Sequence, residues 1–199
     1  MEAFRKLRKT DSYVDVFDIV IDTDPYIYKD IFCIEEKKLE IFQTLFLNPE
    51  SYFYYENYYG LFIDEKLIGL VSIQSPLNVF SEDAIRMAYM EQNIEIPEAA
   101  LAANKYLFDA VCKIGNLAYA CNISVKKEYR GNGYGDMILK DIIKIIGNNI
   151  ICLTVIADNI AALHLYKQNG FMIQESFLDY GGYNKEQILC YSMIRFPKK

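Results

Sequence analysis

The chain is predicted to fold as an α/β (α+β) domain, a mixed sheet covered by helices. Three observations lead there. Strand-period and helix-period segments follow one another as strand, helices, a meander, then β-α-β-α-β-β. One strand-like segment, Ala118–Val125, turns through three glycines into a helix that carries Met137, Ile138, Ile142, Ile145 and Ile146 at helical spacing. No low-complexity linker or repeat interrupts the 199 residues, 52% of them hydrophobic, so a single domain over 1–199 with a substantial core is expected.

Taken in order, residues 4–9 read as a short first strand. Ser12 caps a helix that carries Val16, Ile19 and Val20 inward and ends before Asp24-Pro25. A second helical stretch runs from about Tyr26 to Leu47, with an interruption near Cys33 and a stop at Asn48-Pro49. Tyr52–Ile63 and Leu67–Ile73 read as two strands joined by Asp64-Glu65-Lys66, a hairpin connection. Ser81–Lys113 holds two helical patterns divided by Ile96-Pro97. After the 118–146 strand and helix, the β-branched run Ile150–Val155 is strand-like. A helix from Asn159 follows, capped by Asp158 or Asn159 and ended by Gly170 in a left-handed turn. Phe171–Phe177 and Ile188–Phe196 close the sheet through Asp179-Tyr180-Gly181-Gly182-Tyr183.

Composition excludes more than it assigns. A net charge of −6 and a pI near 4.9 argue against a nucleic-acid binder, which normally shows a basic face. Cys33, Cys112, Cys121, Cys152 and Cys190 are odd in number, lack metal-ligand spacing and mostly lie in apolar runs. They read as reduced core thiols of a cytoplasmic protein with no metal. The N-terminus has no apolar signal region and no segment approaches membrane-spanning length, so no membrane partner is expected.

The chemistry is concentrated in Arg130-Gly131-Asn132-Gly133-Tyr134-Gly135. Glycines let the main chain approach an anion and adopt positive φ. The helix that follows offers unpaired N–H groups and partial positive charge, to which Arg130 adds a guanidinium. This is a polyphosphate cradle. A dinucleotide loop would need glycine where Ile138 stands. A nucleotide P-loop would close with Gly-Lys-Ser/Thr, but Asp136 and Met137 follow Gly135. The spacing R-x-x-G-x-G instead resembles the acyl-coenzyme A loop of the GNAT superfamily of N-acetyltransferases. A second motif resembles that family's N-x-x-A-x-x-L-Y-x-x-x-G-F pattern, matched by Asn159, Ala162, Leu165, Tyr166, Gly170 and Phe171. The two motifs stand in the family's order, one helix and one strand apart, and the resemblance extends over nearly the whole chain.

The resemblance implies a mostly antiparallel central sheet flanked by helices. The family pattern does not place 81–113, which reads by default as an ordinary helical insertion, with shielding of the acceptor site or a dimer contact as the alternatives. It implies acetyl-CoA as cosubstrate, its pyrophosphate on the main-chain N–H groups between Arg130 and Asp136. These are the groups of Arg130, Gly131, Asn132, Gly133, Tyr134, Gly135 and Asp136. It lays the pantetheine arm along Ile123, Ser124 and Val125 like an added strand, bonded by the backbone of Ile123 and Val125. An N–H near Val125 then polarises the acetyl carbonyl. Asn159 matches the position whose amide holds the cofactor. Tyr166 matches both a cofactor contact and the general acid that protonates the departing thiolate.

One feature of part of the family is missing. Some members carry a glutamate eleven residues before the loop's first position, where this chain has Tyr119. Water relayed to Glu82, Asp83, Glu91 or Asp179 is the alternative, and no base is assigned. His164 lies two residues before Tyr166 and so points to another face of its helix. The stretch Asp22–Tyr28 mixes acidic and aromatic groups that suit either an amine pocket or a capped turn. Tyr52–Tyr59 reads as packed strand, not a stacking platform, since no basic residues interleave with it. The expected activity is direct transfer of acetyl to a small-molecule or peptide primary amine in a ternary complex, by a monomer or homodimer. A catalytically silent acyl-CoA-binding sensor or interaction module is the alternative that the missing glutamate keeps open.

Overall fold

The computed structural model describes residues 2–75, 80–113, 117–180, 182–183 and 187–197. Seven strands form one sheet in the order β1-β2-β3-β4-β5-β7-β6. They are β1 (Glu2–Lys6), β2 (Tyr58–Ile63), β3 (Lys66–Gln74), β4 (Ala118–Val125), β5 (Ile151–Ile156), β6 (Met172–Asp179) and β7 (Ile188–Arg195). All neighbours are antiparallel except β4 and β5, which are parallel. The helices are α1 (Tyr13–Val20), α2 (Ile27–Ile31), α3 (Lys38–Leu47), α4 (Glu82–Met90), α5 (Glu98–Lys113), α6 (Tyr134–Ile146) and α7 (Ile160–Gln168). Among the described residues no helix is long and apolar enough to cross a membrane.

Strand alternation sends side chains to two separate cores. On one side of the sheet, α1–α5 bury an aromatic cluster around Phe17, Phe32, Phe42 and Phe53, whose rings meet at 5.2–5.8 Å in mostly edge-on or tilted pairs. On the other side, α6 and α7 cover Leu61, Ile68, Val71, Ala120 and Leu153. The apolar face of α6 is Ile138, Leu139 and Ile142, while Ile145 is exposed. Ser12 caps α1 by accepting from the Asp15 amide, and Asn159 caps α7 by accepting from the Ala162 amide.

Three expectations need correction. The first strand runs over Glu2–Lys6 and stops there because Asp11 gathers the Arg8 amide and the Arg5 guanidinium into a turn. The aromatic run Tyr52–Asn57 is not strand. Ser51 accepts from the Phe53 amide, residues 55–57 form a 3₁₀ turn, and β2 begins only at Tyr58. Tyr52 and Phe53 are nevertheless core, with Tyr55 packed against it, which is why residue type alone misled. Cys33 and Cys112 are exposed, while Cys152 and Cys190 are buried and Cys121 is partly so. The 81–113 segment holds two helices, as expected, with α5 against α2 and α4 against α3. Gly181, in the turn expected between β6 and β7, lies outside the described residues.

Candidate active site

The sheet opens at its centre. Strands β4 and β5 are paired only at Ala118–Ile151 and Tyr119–Cys152, and beyond those residues each strand continues without the other. A wedge therefore separates them, and the edge of β4 facing it carries backbone groups with no strand partner.

Register shows which groups those are. The Ala118 amide donates to Ile150 O, toward β5, whereas the Lys126 amide donates to Ile68 O, toward β3. In an uninterrupted strand, residues eight apart point the same way. One extra residue must lie between them, and the β3–β4 pairing locates it. Ser72 faces Cys121 and Leu70 faces Ser124, so two steps on β3 match three on β4. The bulge is at Asn122, whose φ is +55°. Beyond it, alternation turns the backbones of Ile123 and Val125 toward the wedge and that of Ser124 toward β3. Without it the assignment would be reversed.

Asn122 is 7% exposed and fully engaged. Its Oδ1 accepts from the Tyr28 hydroxyl at 2.5 Å and from Thr23 Oγ1 at 2.9 Å, a hydroxyl whose single proton is shared with Val20 O at 2.7 Å. Its Nδ2 donates to Ser72 Oγ at 3.2 Å and to the Tyr58 hydroxyl at 3.4 Å. Ser72 Oγ and the Tyr52 hydroxyl lie 3.0 and 3.1 Å from Cys121 Sγ, and Gln74 holds the Tyr52 carbonyl. Burial pushes the Cys121 thiol up to about 11 against those two hydrogen bonds, so it is a neutral thiol at pH 7.

At the C-terminal end of β4 the chain makes a 3₁₀ turn over Lys127–Tyr129 and enters the glycine loop. Gly131 and Gly133 have φ of +82° and +81°, and no atom lies within 4 Å of where a Cβ would stand at either. Gly133 is the N-cap of α6, so the amides of Tyr134, Gly135 and Asp136 have no acceptor inside the helix. Gly135 serves packing, since an added Cβ would stand 3.4 Å from Leu165 of α7. Asn132 braces the loop by donating to Tyr129 O and Arg130 O. Arg130 Nε donates to Val125 O at 2.8 Å, tying loop to strand, and its Nη2 lies 3.6 Å from Asp22, which Lys127 also approaches at 3.1 Å. A pocket of about 180 Å³ lies here, lined by Ser124, Val125, Lys127 and Arg130 with Asp18 and Asp22 of the α1 side. Asp136 is held well into its charged form by Lys140 and by the Asn169 amide at 2.8 Å. A larger groove of about 600 Å³ lies elsewhere, between α3 and α4, and touches none of these residues.

Tyr166 is 7% exposed, in the core that α6 and α7 cover, its ring 6.0 Å from that of Phe171. Its hydroxyl bonds no described residue, and burial, reinforced by Cys121, raises its pKa well above the ordinary value near ~10. His164 is exposed on another face of α7. Asn159 is exposed at the mouth and spends its Oδ1 on the α7 cap, leaving the Nδ2 side of the amide without a described partner.

Of the four carboxylates considered as relays, Glu82 is paired with Arg86 on the surface, and Asp83 lies beside it in the first turn of α4, its amide donating to the Ser81 cap. Glu91 accepts from Thr44 at the distant groove. Asp179, at the end of β6, differs: burial raises its pKa despite the Tyr180 amide and Cys190. Asp24, in the α1–α2 turn, is likewise raised by burial, against hydrogen bonds from the Ile27 and Tyr26 amides and with the nearby charge of Asp179 adding to the rise. Of the two readings weighed from sequence for Asp22–Tyr28, the structure shows the capped turn with its buried Tyr28. Asp24 accepts from the Tyr26 and Ile27 amides at the start of α2, while Thr23 and Tyr28 fasten the stretch to Asn122 of β4. The residue that sequence reasoning missed is Asn122. Its one signal was a poor strand former, tolerant of left-handed backbone, in the middle of an alternating strand.

A split mixed sheet with a glycine-rich turn at the end of one parting strand and a capped helix at the end of the other defines the acyltransferase class. The chain belongs to the acetyltransferase (GNAT) family, whose family model matches residues 13–171. Among solved structures it is similar to an N-acetyltransferase from Staphylococcus aureus Mu50, with TM-score 0.69, 16% identity, and coverage of 96% of this chain and 99% of that one. It is similar to a chain of the NatC complex bound to Gag peptide and CoA (TM-score 0.59, 15% identity, 99% of each chain). It also resembles the ribosomal-protein-S18-alanine N-acetyltransferase of Escherichia coli (TM-score 0.53, 16% identity, 100% of this chain and 96% of that one). At these identities the likeness is one of fold. No curated protein matches the chain.

Proposed function

We propose that the protein is an N-acetyltransferase that moves the acetyl group of acetyl-CoA to a primary amine by direct attack within a ternary complex. The observation that carries the reading is continuity. The unpaired edge of β4 leads past Val125 into a loop whose open, left-handed glycines end at the N-terminus of α6. An extended polar arm fits the first part and a pyrophosphate the second. The free spaces at Gly131 and Gly133 are where a Cβ would obstruct that anion. Acetyl-CoA supplies an activated thioester. The Ile123 and Val125 backbones are the groups to hold its arm, and the Val125 amide is the donor toward the acetyl oxygen as it gains charge. The amides from Arg130 to Asp136 and the Asn159 side chain complete the binding set.

Tyr166 is the general acid. Its raised pKa keeps the proton on the hydroxyl at neutral pH, available to a departing thiolate. The attacking amine must lose a proton, and Asp24 and Asp179 are the half-buried carboxylates on the acceptor side, reached through water. Calorimetry with acetyl-CoA tests the first half of the reading, with one-to-one binding expected and no binding overturning it. Thiol release from acetyl-CoA over a panel of primary amines tests the second. Binding without release for any amine would support the silent acyl-CoA-binding module, the reading favoured by Tyr119 standing where some family members carry glutamate.

A further inference from the structure

We propose that Asn122 is a positioning residue of this reaction: its side chain fixes the β4 bulge that turns the Ile123 and Val125 backbones into the wedge, and it fastens the acceptor-side wall to that same point. The inference rests on the acetyl-CoA reading above. Its ground is the register. The direction of the Ala118 and Lys126 amides requires one inserted residue, and Asn122 is the residue with positive φ inside that interval. A bulge is one extra residue and by itself has no fixed place along a strand. Here it is held by four side-chain hydrogen bonds, two from each side of the amide.

Those four partners belong to different parts of the fold. Ser72 and Tyr58 are on β3 and β2, fixing Asn122 to the sheet. Tyr28 is on α2 and Thr23 in the α1–α2 turn, the segment that also places Asp24. Tyr28 and Tyr58 are fully packed, so neither can move to water if Asn122 changes. One amide thus sets two distances together: how the Val125 N–H addresses the acetyl oxygen, and where the acceptor-side wall stands relative to it. An apolar residue would place the bulge nowhere in particular. Aspartate would remove the two donor bonds and bury a charge.

The test uses the whole chain and acetyl-CoA with an isotope-labelled carbonyl. Affinity is measured by calorimetry, and the carbonyl stretch of the bound thioester by difference infrared spectroscopy. Wild type is expected to lower that stretch, the signature of a donor on the oxygen. Asn122→Gly keeps a backbone tolerant of positive φ but loses all four bonds. It is expected to keep the affinity that the glycine loop supplies and lose only the share due to the Ile123 and Val125 backbones, to lose the lowered stretch, and to lose about 100-fold in turnover per bound cofactor with any amine that wild type acetylates. Asn122→Ala, strained at positive φ as well, is expected to lose more affinity. A glycine variant with the wild-type stretch and turnover overturns the proposal. Should Asn122→Gly fail to fold, Thr23→Val with Tyr28→Phe removes both bonds to Oδ1 and leaves the backbone residue in place. A weakened shift in that variant supports the proposal and an unchanged one overturns it. Wild type that takes up no acetyl-CoA is a different failure, that of the functional reading, and it shows before any variant is made.

Discussion

The segment that runs from Asn122 in the middle of β4 to the glycine loop after the strand reaches the left-handed region at its two ends by opposite means. After β4, Gly131 and Gly133 do so on the surface, where nothing stands within 4 Å and the conformation costs a glycine little. Within β4, Asn122 does so in the core, against an intrinsic preference, because four hydrogen bonds define where its side chain must be. The first end is a cradle made by absence of side chains and the second an alignment made by one side chain. Anion binding and carbonyl polarisation should therefore fail separately.

The largest expected effect breaks the glycine end alone. In Gly133→Val a β-branched residue is placed at φ +81° with its Cβ in the space offered to the anion. Acetyl-CoA binding by calorimetry should vanish. Folding should survive with a loss of about 1–2 kcal/mol, because no neighbouring atom is struck and only left-handed strain is added. Unchanged affinity would defeat the loop assignment. Next in size, Tyr166→Phe should lower turnover by about 10²–10⁴-fold while acetyl-CoA affinity stays nearly intact. The hydroxyl bonds no described residue, so its loss orphans nothing in the resting fold. Equal loss of affinity and turnover would move Tyr166 from the acid role to binding or folding.

The difference between the two ends also explains what the sequence disclosed. A glycine pattern is local, and R-x-x-G-x-G with Asn159–Phe171 marks its positions without any knowledge of neighbours. The strands and helices of the C-terminal half follow from simple periodicity, and β4 spans Ala118–Val125 as read. What Asn122 does depends on Thr23, Tyr28, Tyr58 and Ser72, brought from up to 99 positions away by tertiary packing. The same is true of Tyr52–Asn57, where aromatic residues read as strand but fill a core from a turn. The wedge itself was not visible either. It arises because β4 and β5 stop pairing after Tyr119 and Cys152, and nothing in an alternating pattern announces the end of a ladder.

Alkaline pH sharpens the contrast further. Burial raises the pKa of Tyr28, Tyr52, Tyr58, Tyr119 and Tyr166, the first three all within the network around Asn122 and Cys121. The folded protein keeps these protons while an unfolded chain releases them near pH ~10, so above that value the unfolded state binds fewer protons. Stability is then fully present below about pH 10 and falls as pH rises, by about 1.4 kcal/mol per pH unit for each tyrosine still protonated in the fold. Urea denaturation over a pH series from neutral into this range checks it. Tyr28→Phe should flatten the slope, and a slope identical to wild type would place the hydroxyl's titration outside the folded core.

The smallest effect concerns the contact between the two ends. Asp22 holds Lys127 at 3.1 Å and Arg130 at 3.6 Å beside the glycine loop, while its neighbour Thr23 holds Asn122. These ion pairs are partly solvated, so each contributes about 0–1 kcal/mol to the fold, and Asp22→Asn should barely change denaturation midpoints. It does release two cations next to the proposed pyrophosphate site. Acetyl-CoA affinity should rise by a few-fold, the gain shrinking as salt screens the freed charges. The bulge should not respond, since Thr23 and Asn122 are untouched, and so the carbonyl stretch of bound acetyl-CoA should stay at its wild-type position. A shift in that stretch would mean that the cradle and the alignment are one mechanical unit, and the separation between the glycine loop and Asn122 would not hold.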